Sequence, residues 1–331
     1  MLKVTYLNRE PRKTGFSIEG IFALVKDCLK GRIDIGNYDM DPALSWLKNI
    51  TAVKRYAGDI NHLTGDVNFL LIGLPGRRNL LTIHDMGHYD TLRGRSKVKH
   101  FIYHWFWFYL PLRNATYVTV ISQFTKEKLL QYFRFPEDRI RIVHDPVKPI
   151  FKFSKKEQLN ATPRILQIGS GKHKNLQNLI EAVIGMDVHL DILAFVEEST
   201  KSRMNELGIA YTIYNGLSDE QVYELYADCD VLFFASFYEG FGMPIIEAQA
   251  VGRPVITSNM GAMQEVAKDS AVLVDPNSVH EIKAAIQKLI SDKLFYDDRV
   301  EAGIENIKPY HHEKIANDYL AVYEEMMQMQ P

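Results

Sequence analysis

The chain has 331 residues, 46% hydrophobic and 24% charged, with 39 lysines and arginines against 41 aspartates and glutamates. At roughly 100–200 residues per domain, this favours two packed domains, and 13 prolines and 20 glycines are too few for a disordered or fibrous chain. A net charge of -2 argues against a nucleic-acid binder held by bulk positive charge.

In chain order, the first half opens on an apolar run over Leu2–Leu7 that reads as a strand, then a polar loop and an apolar-periodic helix over about 17–29. Short strands are expected at 59–63, 69–72, 80–83, 117–121 and 140–143, with helices over 98–109 and 123–132. The second half alternates more regularly. Strands are expected at 165–168, 189–195, 210–214, 231–235, 254–257 and 271–274, and helices at 176–184, 219–227, 244–250 and 279–289. Short β-branched strands separated by helices mean βαβ units and a largely parallel sheet. Ser218 with Gln221 three residues on is a capping-box start, and Pro244 suits a first helical turn, where its missing N–H costs nothing.

The lysine-rich stretch 148–164 is the expected linker, and an amphipathic helix is expected after Pro309. Dividing the charges at residue 150 gives 23 basic and 14 acidic residues before it, and 16 and 27 after it. The near-neutral total therefore hides a basic half and an acidic half. Cys28 and Cys229 stand far apart, without a CxxC pair, which argues for a reducing compartment and against a cysteine-rich zinc site. With no signal-peptide core at the amino terminus and no apolar stretch of membrane-spanning length, a cytoplasmic protein is expected.

The segment richest in chemistry is Glu239-Gly-Phe-Gly-Met-Pro-Ile-Ile-Glu247, directly after the apolar run 231–235. It reads as a strand end, a glycine turn and a helix start, a place that offers backbone N–H groups and a positive dipole end to a phosphate or sugar oxygen. Gly240 and Gly242 allow close approach to the backbone. Glu239 falls where open α/β sheets bind ligands. Glu247 lies near the first helical turn, so both carboxylates are expected to face one crevice and to accept hydrogen bonds from vicinal hydroxyls. The same residues also suit a capped helix with a packed glycine turn and no ligand.

Glu239 to Glu247 resembles the E-x7-E signature of retaining glycosyltransferases of the GT-B fold, the family-four (group 1) type. The resemblance runs on through Glu247-Ala-Gln-Ala-Val-Gly-Arg-Pro-Val-Ile-Thr-Ser258, Glu265-Val266 and Leu273-Val-Asp-Pro276. Ile165 to Glu181 is similar to the first strand–loop–helix of that family's donor domain, and Leu81-Thr-Ile-His-Asp85 and Val120-Ile-Ser-Gln-Phe-Thr125 resemble its acceptor-domain signatures. The likeness covers about 60 to 330. It implies an α/β GT-B fold of two facing Rossmann-like domains with parallel sheets and a cleft between them. Residues 1–148 would bind the acceptor, 163–308 the nucleotide-sugar donor, and a helix over about 312–331 would pack back on the first domain.

The resemblance also implies roles. Glu239 would hydrogen-bond the donor sugar, and the backbone of Phe241, Gly242 and Met243 would contact sugar and phosphate beside Gly240. Glu247 would hold the ribose hydroxyls, Lys174 would stabilise the departing diphosphate, and His84 would face the donor sugar. Gly169 lies in the first donor-domain loop, where Ser170 replaces an arginine common in relatives. Lys172 either supplies the second positive charge or is a solvated loop lysine. Gly15 alone stands for a glycine pair usual in the first loop of the family. No cofactor and no metal are expected, because lysines and helix dipoles do the work. The implied partners are a nucleotide-diphosphate sugar, UDP-sugar favoured, and a glycan or lipid-linked acceptor, with no nucleic acid.

Other readings of these residues are weaker or remain open. Gly169-Ser-Gly171 places Lys174 where a dinucleotide fingerprint needs its third glycine. His84-Asp-Met-Gly-His88 imitates a zinc motif, but Gly87 after a strand argues against one helical face. A catalytically silent nucleotide-sugar-binding subunit or a nucleotide-sugar epimerase remain as alternatives, while the lack of a cofactor-lysine context argues against a phosphorylase. Finally, the aromatic stretch 100–112 follows Arg93, Arg95, Lys97 and Lys99. It reads either as an interfacial contact with an anionic membrane surface or as a core helix behind a solvated basic loop.

Overall fold

A computed structural model describes residues 1–9 and 18–329. Strands β1 (Lys3–Asn8), β2 (Asp34–Asp39), β3 (Ile60–Leu63), β4 (Asn79–Ile83), β5 (Tyr117–Val120) and β6 (Ile140–Ile142) form a parallel sheet in the order β2-β1-β3-β4-β5-β6. Strands β7 (Arg164–Ile168), β8 (His189–Leu193), β9 (Ala210–Tyr214), β10 (Val231–Phe234), β11 (Val255–Ser258) and β12 (Val272–Val274) form a second, ordered β12-β11-β10-β7-β8-β9. The chain divides into two compact units. One joins the described residues up to Pro146 with those from His312 onward, and the other is Val147–His311.

Parallel strands are covered by helices on both faces, so their sequences run apolar rather than alternating. Val231, Leu232, Phe233 and Phe234 of β10 are all buried, as are Val255 and Ile256 of β11. In the second sheet the winding reverses between β7 and β10, and the carboxyl ends of those two strands mark the place where such sheets bind ligands. The expected capping box closes between Ser218 and Gln221.

The helix His312–Gln328 returns to the first unit. Ile315, Tyr319, Val322, Tyr323 and Met326 bury themselves against Val4, Tyr6, Phe22 and Leu29. A polar line crosses this core. His62 of β3 hydrogen-bonds the Tyr323 hydroxyl through Nδ1 at 2.7 Å and Thr82 Oγ1 through Nε2 at 2.7 Å, and Tyr323 donates onward to the Tyr6 hydroxyl at 3.1 Å. Burial pushes the His62 imidazole down to about 3, so it is neutral and each ring nitrogen depends on its partner. This helix carries four carboxylates and one lysine. The first unit therefore holds 23 basic and 18 acidic residues and the second 16 and 23, a milder division than the cut at residue 150 suggests.

Several elements depart from expectation. Residues 69–72 are not a strand but part of a 3-10 turn, Asn68–Gly73, buried almost throughout and tied by Asn68 Nδ2 to the Trp107 carbonyl at 2.7 Å. A short apolar run fits a buried turn as well as a buried strand. β2 was not foreseen, because Asp-Ile-Gly-Asn-Tyr-Asp is a largely polar edge strand. Neither was the helix Glu198–Glu206, which buries only Met204, nor the helices Trp46–Ala52, Gly87–Arg95, Gly261–Ala267 and Lys293–Asn306. The expected helix 98–109 is an α-helix over Lys97–Tyr103 that widens into a π-helix over His104–Tyr109. One side of it packs into the first unit and the other is exposed. Phe108 is buried and Trp107 packs on Phe69 and Trp46, whereas Val98, Phe101, Ile102 and Phe106 are exposed. Among the described residues no helix is long and apolar enough to cross a membrane.

Replacing Tyr323 by Phe leaves the buried His62 Nδ1 without its partner, at an expected cost of about 1–3 kcal/mol. Urea unfolding of the full chain should show this as a lower midpoint of the transition carried by the first unit. An unchanged midpoint would show that the His62 line contributes nothing to docking the last helix.

Candidate functional site

β7 ends at Ile168 and the chain turns at Gly169, whose φ of +88° suits glycine. A Cβ there would lie 2.9 Å from Lys174 Cγ, so the missing side chain makes room for the lysine stem. Gln167 Nε2 clamps the turn by donating to the carbonyls of Gly169 at 2.8 Å and Lys174 at 3.0 Å. Asn175 follows in the left-handed conformation, φ 63°, and its buried Nδ2 donates to Ala235 O at 2.9 Å and Pro276 O at 2.7 Å. The Phe237 N–H closes on His173 O at 2.8 Å. Together these bonds fasten the loop after β7 to the loop after β10. Lys174 Nζ thereby sits 2.7 Å from Glu239 Oε1 and 4.8 Å from the centre of the Phe234 ring.

Beyond Glu239, Gly240 and the buried Phe241 lead to Gly242, which caps the helix Met243–Val251 with φ +117°. A Cβ on Gly242 would approach Ile245 Cδ1 to 2.9 Å. Met243 and Pro244 open the helix, so its amino end points out of the turn that carries Glu239.

Glu247 lies one residue past the first helical turn, and its surroundings differ from the open crevice expected for both carboxylates. It is 1% exposed, and its Oε2 accepts the Tyr226 hydroxyl hydrogen at 2.9 Å. Its Oε1 is buried without a hydrogen-bond partner. Burial pushes the carboxyl up to about 7, against smaller opposing effects of the Tyr226 hydrogen bond and the Lys148 charge. Glu239 is thus the ion-paired carboxylate and Glu247 the desolvated one.

Ser170 donates its hydroxyl to the Phe195 carbonyl, and Lys172 is exposed on the 3-10 turn Lys172–Lys174. Beside them lies a cavity of about 500 Å³ whose rim includes Ser170, Lys172, Phe195, Glu197 and Phe237. Phe195 is 80% exposed, because β8 stops at Leu193 rather than running to residue 195. Its apolar character hid it inside the expected strand. Asn175, Gln167 and Phe237 were also missed. The one local signal for them was the residue type of Asn175, since asparagine tolerates the left-handed conformation better than most side chains.

His84 belongs to the first unit, directly after β4. Its Nε2 donates to the Thr64 carbonyl at 2.9 Å and its Nδ1 lies 3.9 Å from Asp145 Oδ1. A cavity of about 160 Å³ there is lined by His84, Arg9, Asp66, His88 and Tyr103 among others. Burial raises the Asp145 carboxyl, partly offset by His84 and His144. Gly15 lies outside the described residues. Among the described residues, no three His, Cys, Asp or Glu side chains converge to hold a metal ion.

Two family models match consecutive parts of this chain, Glycosyltransferase Family 4 over residues 40–149 and Glycosyl transferases group 1 over residues 150–306. The chain belongs to the group 1 glycosyltransferases of the GT-B fold. Among its relatives are the O-antigen chain mannosyltransferase B of Escherichia coli, 28% identical over 242 residues that cover 64% of this chain and 61% of that protein. The MMP alpha-(1->4)-mannosyltransferase of Mycolicibacterium hassiacum is 28% identical over 230 residues, covering 64% and 54%. The matches thus span between half and two thirds of those relatives. The crystal structure of Anabaena HepE in complex with UDP and glucose superposes with a TM-score of 0.76 at 16% identity, over 98% of this chain and 100% of that one.

In this GT-B chain the raised Glu247 carboxyl has a measurable consequence. The folded carboxyl holds its proton to about pH 7, against an ordinary value of 4.5. The folded state therefore binds more protons than the unfolded one between those values, and stability falls as pH rises through that window. Glu247→Gln should flatten the decline of melting temperature between pH 4.5 and 7 and raise it at pH 8 relative to wild type. Parallel curves for the two proteins would rule out a protonated Glu247.

Proposed function

We propose that this chain is a retaining glycosyltransferase that moves a hexose-type sugar from a nucleotide-diphosphate sugar to a hydroxyl of a glycan or lipid-linked acceptor, in the synthesis of cell-surface polysaccharide or lipopolysaccharide. The observation that carries this reading is the Lys174–Glu239 pair, fixed at the carboxyl ends of β7 and β10. The activities of the relatives support it, because they place mannosyl transfer and O-antigen assembly within the same family.

In this reading the second unit binds the donor. The diphosphate lies against the loop Gly169–Lys174 and the amino end of the helix Met243–Val251. Lys174 takes up negative charge on the diphosphate as the bond between the anomeric carbon and the phosphate oxygen breaks, a contribution of several kcal/mol in comparable oxyanion sites. Glu239, released from its ion pair by the incoming phosphate, accepts hydrogen bonds from the sugar hydroxyls. The acceptor oxygen bonds to the anomeric carbon on the face that the diphosphate leaves, and its proton passes to a departing phosphate oxygen. The buried Oε1 of Glu247 is the group left to meet the ribose hydroxyls, and Phe195 offers a ring face to the nucleobase. The first unit binds the acceptor, with His84 oriented by Thr64 and Asp145. Val98, Phe101, Ile102 and Phe106, flanked by Arg93, Arg95, Lys97 and Lys99, support contact with an anionic bilayer that presents a lipid-linked acceptor.

A thermal-shift screen against UDP-, GDP- and ADP-sugars identifies the donor, because a ligand of the folded state raises its stability by mass action. With that donor, Glu239→Ala should abolish transfer with little change in nucleotide affinity, whereas Glu247→Ala should weaken nucleotide binding by about tenfold or more. Nucleotide-sugar binding without transfer or donor hydrolysis would instead identify a silent binding subunit. For the bilayer contact, Phe101→Ser with Phe106→Ser should release the protein from anionic vesicles. Wild-type co-sedimentation of that variant would refute the contact.

A further inference from the structure

At the opposite end of the first sheet from His84, the loops that enter β3, β4, β5 and β6 surround a second cavity, of about 610 Å³. Four arginines line it, Arg77 and Arg78 before β4, Arg113 before β5 and Arg139 before β6, with Asp59 as the one carboxylate on its wall. None of the four forms a side-chain ion pair within 4.0 Å among the described residues. Asp59 is occupied elsewhere, since its Oδ2 accepts the Lys3 N–H at 2.9 Å. Arg78 donates once, from Nη2 to the Met329 carbonyl at 3.2 Å, while its Nε is shut off from solvent and has no hydrogen-bond partner.

Like charges gathered around one hollow repel each other, and a buried guanidinium N–H without an acceptor is costly. The surrounding backbone nevertheless holds them there. Asn79, fully buried, donates from Nδ2 to the carbonyls of Leu74 and Asn114 at 2.8 Å each, and accepts from Asn61 Nδ2 at 3.0 Å. Its backbone N–H reaches Thr116 Oγ1 at 3.1 Å, and the Arg78 carbonyl accepts from Asn61 N–H at 2.9 Å. The segments carrying Arg78 and Arg113, the latter in the last turn of the helix Leu110–Asn114, are thus pinned through one asparagine before any ligand arrives, which lowers the ordering cost of binding.

We propose that this cavity is a binding site for a phosphate-bearing anion, separate from the sugar-nucleotide site of the second unit. Guanidinium forks match phosphate oxygens in bidentate fashion, which lysines do not. The volume suits a small ligand rather than a lone ion. No aromatic ring lines the hollow, so a compact diphosphate or phosphorylated sugar fits it better than a nucleotide. The phosphate belongs either to a soluble anion or to a lipid headgroup.

The test uses the full chain with Lys174→Ala as background, which removes the cation proposed to hold the diphosphate in the second unit. Inorganic pyrophosphate should still bind this variant in calorimetric titration at fixed ionic strength. Adding R113Q and R139Q, two side chains whose guanidinium groups make no hydrogen bond among the described residues, should weaken binding by about tenfold or more. R78Q should do the same, and the R113Q/R139Q pair keeps the test valid should R78Q fail to fold. Vesicles containing phosphatidic acid separate the sources. Co-sedimentation lost together with the two arginines assigns the phosphate to a lipid headgroup, and co-sedimentation retained while pyrophosphate binding falls assigns it to a soluble anion. No pyrophosphate binding in the Lys174→Ala background, or equal affinity with and without the arginines, would overturn the proposal.

Discussion

Parallel pairing is the constraint on which the rest of this molecule depends. A parallel strand must be left at its carboxyl end and the next one entered at its amino end, so every crossover deposits one loop at each end of the sheet. The strands themselves, covered on both faces, have no room for exposed chemistry. Polar side chains with work to do are therefore driven to the two rims. In the second sheet the winding reverses between β7 and β10, which leaves their two carboxyl-end loops side by side and brings Lys174 against Glu239.

What holds that meeting in place is not the ion pair, since a partly exposed pair contributes little on its own. Amide side chains do the fastening. Gln167 closes the Gly169 turn, and Asn175 spans to Ala235 and Pro276 from a conformation that few side chains tolerate. Against this frame the two glutamates part company electrostatically. Glu239 pairs with the Lys174 ammonium, while Glu247, eight residues on, is walled in with Tyr226 and its carboxyl is pushed up to about 7 by burial. The same type of side chain meets two surroundings because one sits on a turn and the other on a buried helix face.

The first sheet uses both of its rims. Its carboxyl rim carries His84, fixed by the Thr64 carbonyl and near the buried Asp145, and its amino rim carries the arginine-lined hollow fixed by Asn79. The returning helix His312–Gln328 adds Tyr323 to the core line through His62, and Met329, just past its end, reaches the edge of that hollow. Residues far apart in sequence thus complete the unit that begins the chain.

Much of this was legible in the sequence. β10, β11 and most other central strands announce themselves as short apolar runs, and the Glu239–Glu247 segment and the Gly169–Lys174 loop stand out because glycine and charge at a strand end have few structural uses. Elements with little to bury were missed. β2 is a polar edge strand and Glu198–Glu206 hides only Met204, so neither leaves a periodic trace. The 3-10 turn Asn68–Gly73 was misread as a strand because burial on every side erases the period that separates the two. By itself, then, the sequence determined the parallel α/β architecture and the loops that carry the chemistry, since both follow from local composition. Only the tertiary structure decided that burial raises the Glu247 carboxyl, that Phe195 stands in solvent and that four arginines from three connections share one hollow. Burial and convergence are properties of chain segments brought together from a distance, and no local pattern encodes them.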